Sequence, residues 1–166
     1  MKSRHFVKSS DIKKFQLELQ GINLDSAALF GKNTKMEEGT LEESTILYFI
    51  DGELTFIKRE DRIFPFLKAL LKDLVYLPKV VVDMGAIPHI IKGADIMFPG
   101  IVSFDSGVKI DDLVVIIDEK HNKPLAIGQS LVNDTEFSRE KKGKAVKNLH
   151  YVGDKLWDFI KKIESK

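Results

Sequence analysis

Val82-Asp83-Met84-Gly85-Ala86-Ile87-Pro88-His89-Ile90-Ile91-Lys92-Gly93-Ala94-Asp95-Ile96-Met97-Phe98-Pro99-Gly100-Ile101 is the stretch on which the reading of this chain turns. It leaves the β-branched run Val80-Val81-Val82, which predicts a short strand. Asp83 to Lys92 predicts a short helix with Pro88 tolerated in its first turn. Gly93 stands where a helix ends in the left-handed conformation. Ile96–Phe104 then reads as a strand broken by Pro99-Gly100. Gly85 and Gly93, at the two helix ends, let another backbone approach closely because neither carries a side chain.

Downstream, Leu113–Asp118, Leu125–Ser130 and Ala145–Val152 read as strands, separated by turn-rich segments such as Asp105-Ser106-Gly107 and His121-Asn122-Lys123-Pro124. Several short strands with one inserted helix predict a small, closed or nearly closed β-barrel. Asp154 is placed to cap a last helix, with Leu156, Trp157, Ile160 and Ile163 inward and Lys161 and Lys162 near its C-terminus. Upstream, Pro78 marks a boundary. Before it, Ser9-Ser10-Asp11 offers caps for a helix carrying Ile12, Phe15 and Leu19 and closed by Gly21. Thr45–Ile50 and Glu53–Lys58 flank Asp51-Gly52, a strong two-residue hairpin signal. Pro65 is read as the first residue of an amphipathic helix with Phe66, Leu67, Leu70, Leu71 and Leu74. The expected fold class is α+β: a small α/β domain over 1–77, then a barrel with a C-terminal helix over 78–166.

Composition limits what such a chain does. Its 166 residues allow one domain or two small ones, with 43% hydrophobic and 31% charged residues, an ordinary globular balance. The 26 basic and 25 acidic residues give no general attraction for nucleic acid or membrane. The absence of cysteine excludes disulfides, thiolate metal sites and a cysteine nucleophile. Leu113–Ile117, the longest aliphatic run, is far short of the ~20 residues of a bilayer span. Lys2, Arg4 and His5 are followed by no apolar segment of a signal peptide, so a soluble, cytoplasmic protein is expected. The charge is unevenly placed. Residues 78–138 carry 5 basic and 9 acidic side chains, whereas 139–166 carry 9 basic and 4 acidic, with Arg139, Lys141, Lys142, Lys144 and Lys147 close together.

Catalytic patterns do not match. Gly31-Lys32 and Gly143-Lys144 lack the glycine a P-loop needs five residues earlier, where Ser26 and Ser138 stand. No glycine-rich dinucleotide turn follows a strand, and no serine sits in a nucleophile elbow. His5, His89, His121 and His150 are scattered, and His89 reads as a core or edge residue. Asp83, Asp95, Asp105, Asp111 and Asp112 offer carboxylates for a cation, yet stand at caps and turns where aspartate has a local structural use. No enzyme activity and no cofactor are expected.

The run Gly93-Ala94-Asp95-Ile96-Met97-Phe98-Pro99-Gly100 resembles the core motif of PUA domains, small pseudo-barrels that bind structured RNA. Leu125-Ala126-Ile127-Gly128, Lys142-Gly143-Lys144-Ala145-Val146 and His150-Tyr151-Val152-Gly153-Asp154-Lys155-Leu156-Trp157 extend the resemblance to the MCT-1-like family. That family includes the N-terminal half of the translation factor ligatin and stand-alone archaeal proteins. Residues 78–159 carry the likeness, and 1–77 fit its pre-PUA domain in length and elements. The resemblance implies a non-catalytic, translation-associated protein that binds tRNA or small-subunit rRNA, with a possible protein partner and no DNA or membrane. Carried over, the RNA surface comprises Gly85, Ala86, Lys92, Gly93, Ala94, Asp95, Met97, Lys142, Gly143 and Lys144, with Lys147 on the same rim. From the residue pattern alone Met97 reads as core. Without cysteine, this chain cannot supply the zinc-binding motif that partners of some relatives carry. The alternative is an adaptor subunit of a translation or RNA-modification complex, docking through the Asp51-Gly52 hairpin and Glu37-Glu38-Gly39-Thr40-Leu41-Glu42-Glu43.

Overall fold

Ser3–Phe6 (β1) follows Lys2 and leads into a helix, Ser9–Gln20 (α1), before the chain returns as Met36–Glu42 (β2) beside β1. Thr45–Ile50 (β3), Glu53–Arg59 (β4) and Arg62–Pro65 (β5) follow, each antiparallel to the last, giving the sheet order β1-β2-β3-β4-β5. A short helix, Leu67–Leu71 (α2), ends this part. The computed structural model describes residues 1–42 and 44–165, and Met1–Tyr76 and Leu77–Lys166 form two separate compact units.

In the first unit the Asp51-Gly52 turn takes φ of 48° and 87°, and β3 and β4 pair across it as the sequence predicts. The structure corrects other expectations. Lys8, not the following serines, is the N-cap of α1, and Gly21 closes the helix in a right-handed conformation. Pro65 ends β5 rather than starting a helix. Phe66 is the N-cap of α2, and Asp73 at φ 57° stops it before Leu74. Proline is tolerated there because β5 is an edge strand and needs no donor on its open side. Strands β1, β2 and β5 are additions to the sequence reading. The acidic segment is the second strand of the sheet, flanked on both sides, and Glu37 is held by Arg4 at 2.8 Å. Glu43 lies outside the described residues. The core gathers the rings of Phe15, Tyr48 and Phe56, with centroids 4.4 and 5.5 Å from Phe15, together with Leu19, Met36 and Ile63.

The second unit runs Lys79–Val82 (β6), a tight turn Met84–Ala86 leading into Ile87–Ile90 (α3), and Ile96–Met97 (β7). A further tight turn, Phe98–Gly100, leads to Ile101–Phe104 (β8). Leu113–Asp118 (β9), Pro124–Ser130 (β10), Lys144–Tyr151 (β11) and Lys155–Glu164 (α4) complete it. The sheet order is β7-β11-β10-β9-β6-β8, with β6 and β9 parallel. Its two outer strands, β7 and β8, are the two ends of one three-residue turn. The sheet therefore curls into a nearly closed pseudo-barrel around Val80, Ile90, Ile101, Ile116 and Val146.

Two carboxylates of the barrel are satisfied by nearby donors. Asp118 is only 3% exposed and accepts hydrogen bonds from the backbone N–H groups of Lys120, His121 and Lys123. Burial pushes its carboxyl up, but these donors and the His121 ring outweigh it and hold the group below the usual aspartate value. Asp154 caps α4 through the Trp157 N–H at 2.8 Å, as expected, and also meets the His150 ring at 2.6 Å. Leu156 and Ile160 of α4 are buried, but Trp157 is half-buried and Ile163, in the last turn, is exposed. No helix among the described residues is long and apolar enough to cross a membrane.

Candidate functional site

Two segments distant in sequence build a cleft on the barrel. Met97 and Ile96 of β7 stand opposite Lys144 and Val146 of β11, and the Phe98 N–H donates to the Gly143 carbonyl at 3.1 Å. Gly93 ends the α3 segment at φ +95°, which a side chain rarely adopts, and a Cβ there would meet the Tyr151 hydroxyl at 3.1 Å. Asn148 locks the two segments. Its backbone N–H donates to Asp95 at 2.9 Å, and its amide nitrogen donates to the carbonyls of Ile90 and Ala94 at 3.1 and 3.0 Å. The resulting cleft has a volume of about 790 Å³.

Seven of the eleven residues expected from sequence line it: Gly85, Ala86, Gly93, Ala94, Asp95, Met97 and Lys144. Lys92, Lys142, Gly143 and Lys147 do not. They are exposed on the adjoining chain, beside Gly93, before Lys144 and further along β11. Met97 is 45% exposed, which corrects its reading as core: the alternation of the two-residue strand β7 turns Ile96 inward and Met97 out. His89 is likewise exposed and lines the cleft rather than sitting in the core.

Sequence reasoning missed part of the wall. Asp83, Pro99 and Gly100 line the cleft, and Arg139 reaches across to Asp83 at 3.1 Å and to the Pro99 carbonyl at 3.3 Å. The Pro99-Gly100 pair was a visible signal. The sequence marked Arg139 only as part of the basic run, and nothing in it marked the pairing with Asp83, 56 residues away. The aspartates considered for a cation have local uses. Asp83 accepts from Ala86 N–H, Asp105 from Lys79 N–H and Asp112 from Lys109 N–H, at 3.0, 2.8 and 3.0 Å. Among the described residues no group of three or more ligating side chains stands together.

Charge around the cleft falls into two classes. Lys144 pairs with Asp95 at 3.1 Å, as Arg139 does with Asp83. Burial pushes the Asp95 carboxyl up, but the Asn148 N–H, the Lys144 ammonium and nearby Lys147 outweigh it and hold the group below its ordinary value. Among the described residues no ion pair engages Lys92, Lys142 or Lys147. The cleft thus combines small and apolar side chains, exposed backbone and balanced charge, with uncompensated lysines on its rim. That arrangement suits an uncharged group inside and an anionic chain outside.

Residues 78–152 match the family model of the PUA domain, and residues 3–73 match a domain of unknown function, DUF1947. An uncharacterized protein of Methanocaldococcus jannaschii is 41% identical over 159 residues, 96% of this chain and 98% of that protein. Translation machinery-associated protein 20 of Saccharomyces cerevisiae is 34% identical over 137 residues, 79% of this chain and 76% of that one. The crystal structure of a hypothetical protein from Pyrococcus horikoshii superposes with a TM-score of 0.81 at 34% identity, covering 95% of this chain and 99% of that one.

Proposed function

We propose, for a chain that belongs to the MCT-1-like family of PUA-domain proteins and counts translation machinery-associated protein 20 among its relatives, a non-catalytic RNA-binding role in translation. The ligand is structured RNA, either tRNA or small-subunit rRNA. The barrel, taken as residues 78–166, binds it, and residues 1–77 act as the pre-PUA domain. The observation that carries this reading is the cleft at the β7–β11 junction, bordered by three lysines that form no ion pair among the described residues. Gly85, Gly93 and Gly143 expose backbone to 2′-hydroxyl and phosphate groups, and Ala86, Ala94, Asp95 and Met97 give the cleft its shape. Lys92, Lys142 and Lys147 meet phosphates, with Lys144 nearer the cleft floor.

Binding of purified protein to total tRNA and to isolated small ribosomal subunits, each at two salt concentrations, tests this. Three to four phosphate contacts give a log–log salt slope of roughly −2 to −4, at ~0.7–0.9 per contact. A Lys142→Glu, Lys147→Glu double variant is expected to lose most of that affinity at an unchanged melting temperature. Affinity unaffected by the double reversal would overturn the assignment of the rim. Absence of binding to either RNA would overturn the reading as a whole.

A further inference from the structure

Lys144, which lines the cleft, and Arg139, which reaches its wall, are each held by a carboxylate of that wall, while the rim lysines are in no ion pair among the described residues. Each carboxylate is in turn pinned from behind by a backbone donor: Asp95 by Asn148 N–H at 2.9 Å, Asp83 by Ala86 N–H at 3.0 Å. The carboxylate is thus the fixed member of each pair and the long cationic side chain the movable one. The Lys144–Asp95 pair is also partly open to solvent, with side-chain exposures of 61% and 26%, so it is placed for exchange rather than sealed in the core.

We propose that Asp95 is a specificity-determining residue, its carboxylate holding Lys144 in the place a phosphate would otherwise take. This rests on the RNA-binding reading and concerns which RNA the cleft admits. A ligand that offers only negative charge must displace a carboxylate that is already in position, and it gains little by the exchange. A ligand that also fills the cleft beside Gly93, Met97 and Gly100 gains contacts that offset the exchange. Rim lysines then set how tightly polyanions are held in general, and the paired cleft sets which of them stay. Arg139 and Asp83 form a second such pair at the cleft, where Arg139 is further tied to the Pro99 carbonyl.

Asp95→Asn tests the proposal, because its side-chain oxygen still accepts the Asn148 N–H while the charge is gone. The probes are a heparin column, poly(U) and total tRNA. The variant is expected to elute later from heparin and to bind poly(U) roughly two- to fivefold tighter. Its poly(U) salt slope should steepen by ~0.7, one released counterion contact on a single strand. Total tRNA should gain less, so the preference for tRNA over poly(U) falls. Adding Lys144→Gln to Asp95→Asn should erase the gain, and Lys144→Gln alone should shift heparin elution less than Lys142→Gln does. Unchanged elution of Asp95→Asn, a gain that survives Lys144→Gln, or equal gains on tRNA and poly(U) would overturn the proposal. So would a Lys144→Gln shift as large as that of Lys142→Gln. If the native protein holds no RNA while Asp95→Asn still elutes later from heparin, the RNA-binding reading falls and the masking of Lys144 stands.

Discussion

The two units use β-sheet in opposite ways. In the N-terminal unit every strand pairs with its neighbour in sequence, and the sheet is a meander whose buried face is filled by aromatic rings from α1 and the strands. In the barrel, strands from far apart are brought together; the hydrogen bond from Asn148 to Asp95 spans 53 residues. The meander joins β3 to β4 and β4 to β5 by tight two-residue turns. The barrel leaves a glycine-lined gap at its most non-local junction, and there the candidate site lies. The lesson is that a cleft with exposed backbone needs chain segments that cannot pack against their immediate neighbours.

The comparison is most sharply tested by one glycine from each unit. A Cβ on Gly128, in β10, would fall inside the contact distance of Val146 Cγ1 and 3.1 Å from the Lys147 carbonyl. Gly128→Ala should destabilise the barrel by about 3 kcal/mol, the upper end for overpacking. Gly52 has nothing within 4 Å of a Cβ but sits at φ +87°, so Gly52→Ala should cost only about 1 kcal/mol. Urea unfolding of both variants checks the order, and a costlier Gly52 change would break the contrast.

Aspartates at turns come next. Asp118→Ala removes the buried carboxylate that accepts from three backbone N–H groups of an exposed turn and should cost about 2 kcal/mol. Asp25→Ala, which removes an exposed contact to Ala27 N–H at 3.2 Å, should cost about 0.5 kcal/mol. Melting temperatures at neutral pH separate the two.

A smaller effect is read on the pH axis. The carboxyls of Asp118 and Asp154 are held below the usual aspartate value, so their contribution is complete above ~3.9 and is lost as pH falls through the lower values of the folded state. Tyr48 goes the other way. Burial, then Glu38 and Glu18, push its hydroxyl up to about 12, so its contribution is intact below ~10 and is lost as pH rises through about 12. The barrel should therefore lose stability on the acid side and the meander on the alkaline side. Asp118→Asn should flatten the acid limb and Tyr48→Phe the alkaline one, in denaturation midpoints measured across pH. The rim lysines should matter least to folding: the Lys142→Glu, Lys147→Glu variant should melt within about 0.5 kcal/mol of the native protein.

What was legible in the sequence follows local chemistry. Asp51-Gly52, Gly93 and Asp154 announce their turns and caps because each conformation or bond is made within a few residues. The β4–β5 turn was silent, since Glu60 and Asp61 take φ of 51° and 61° without the usual glycine or asparagine. Strand β2 was hidden by its glutamates, which read as an acidic docking surface although Met36 and Gly39 are buried. At the site, glycine, proline and the basic run could be read, but the seven lining residues came from the resemblance to the PUA domain that 93–100 and 142–146 carry. The pairings that set its charge could not. Neither Lys144 nor Arg139 differs in sequence from an ordinary surface cation until the barrel brings Asp95 and Asp83 alongside.

The three residues Phe98–Gly100 fasten a hoop that hydrogen bonds leave open between β7 and β8. Ile96, Met97, Pro99 and Gly100, on and around this clasp, also form part of the cleft wall. A molecule bound there would bridge the ring at the opening between its outer strands. It should act as a rivet that stiffens the whole ring rather than one loop, so that amide exchange in β8 and β11, strands that share no hydrogen-bonded ladder, slows together when the cleft fills.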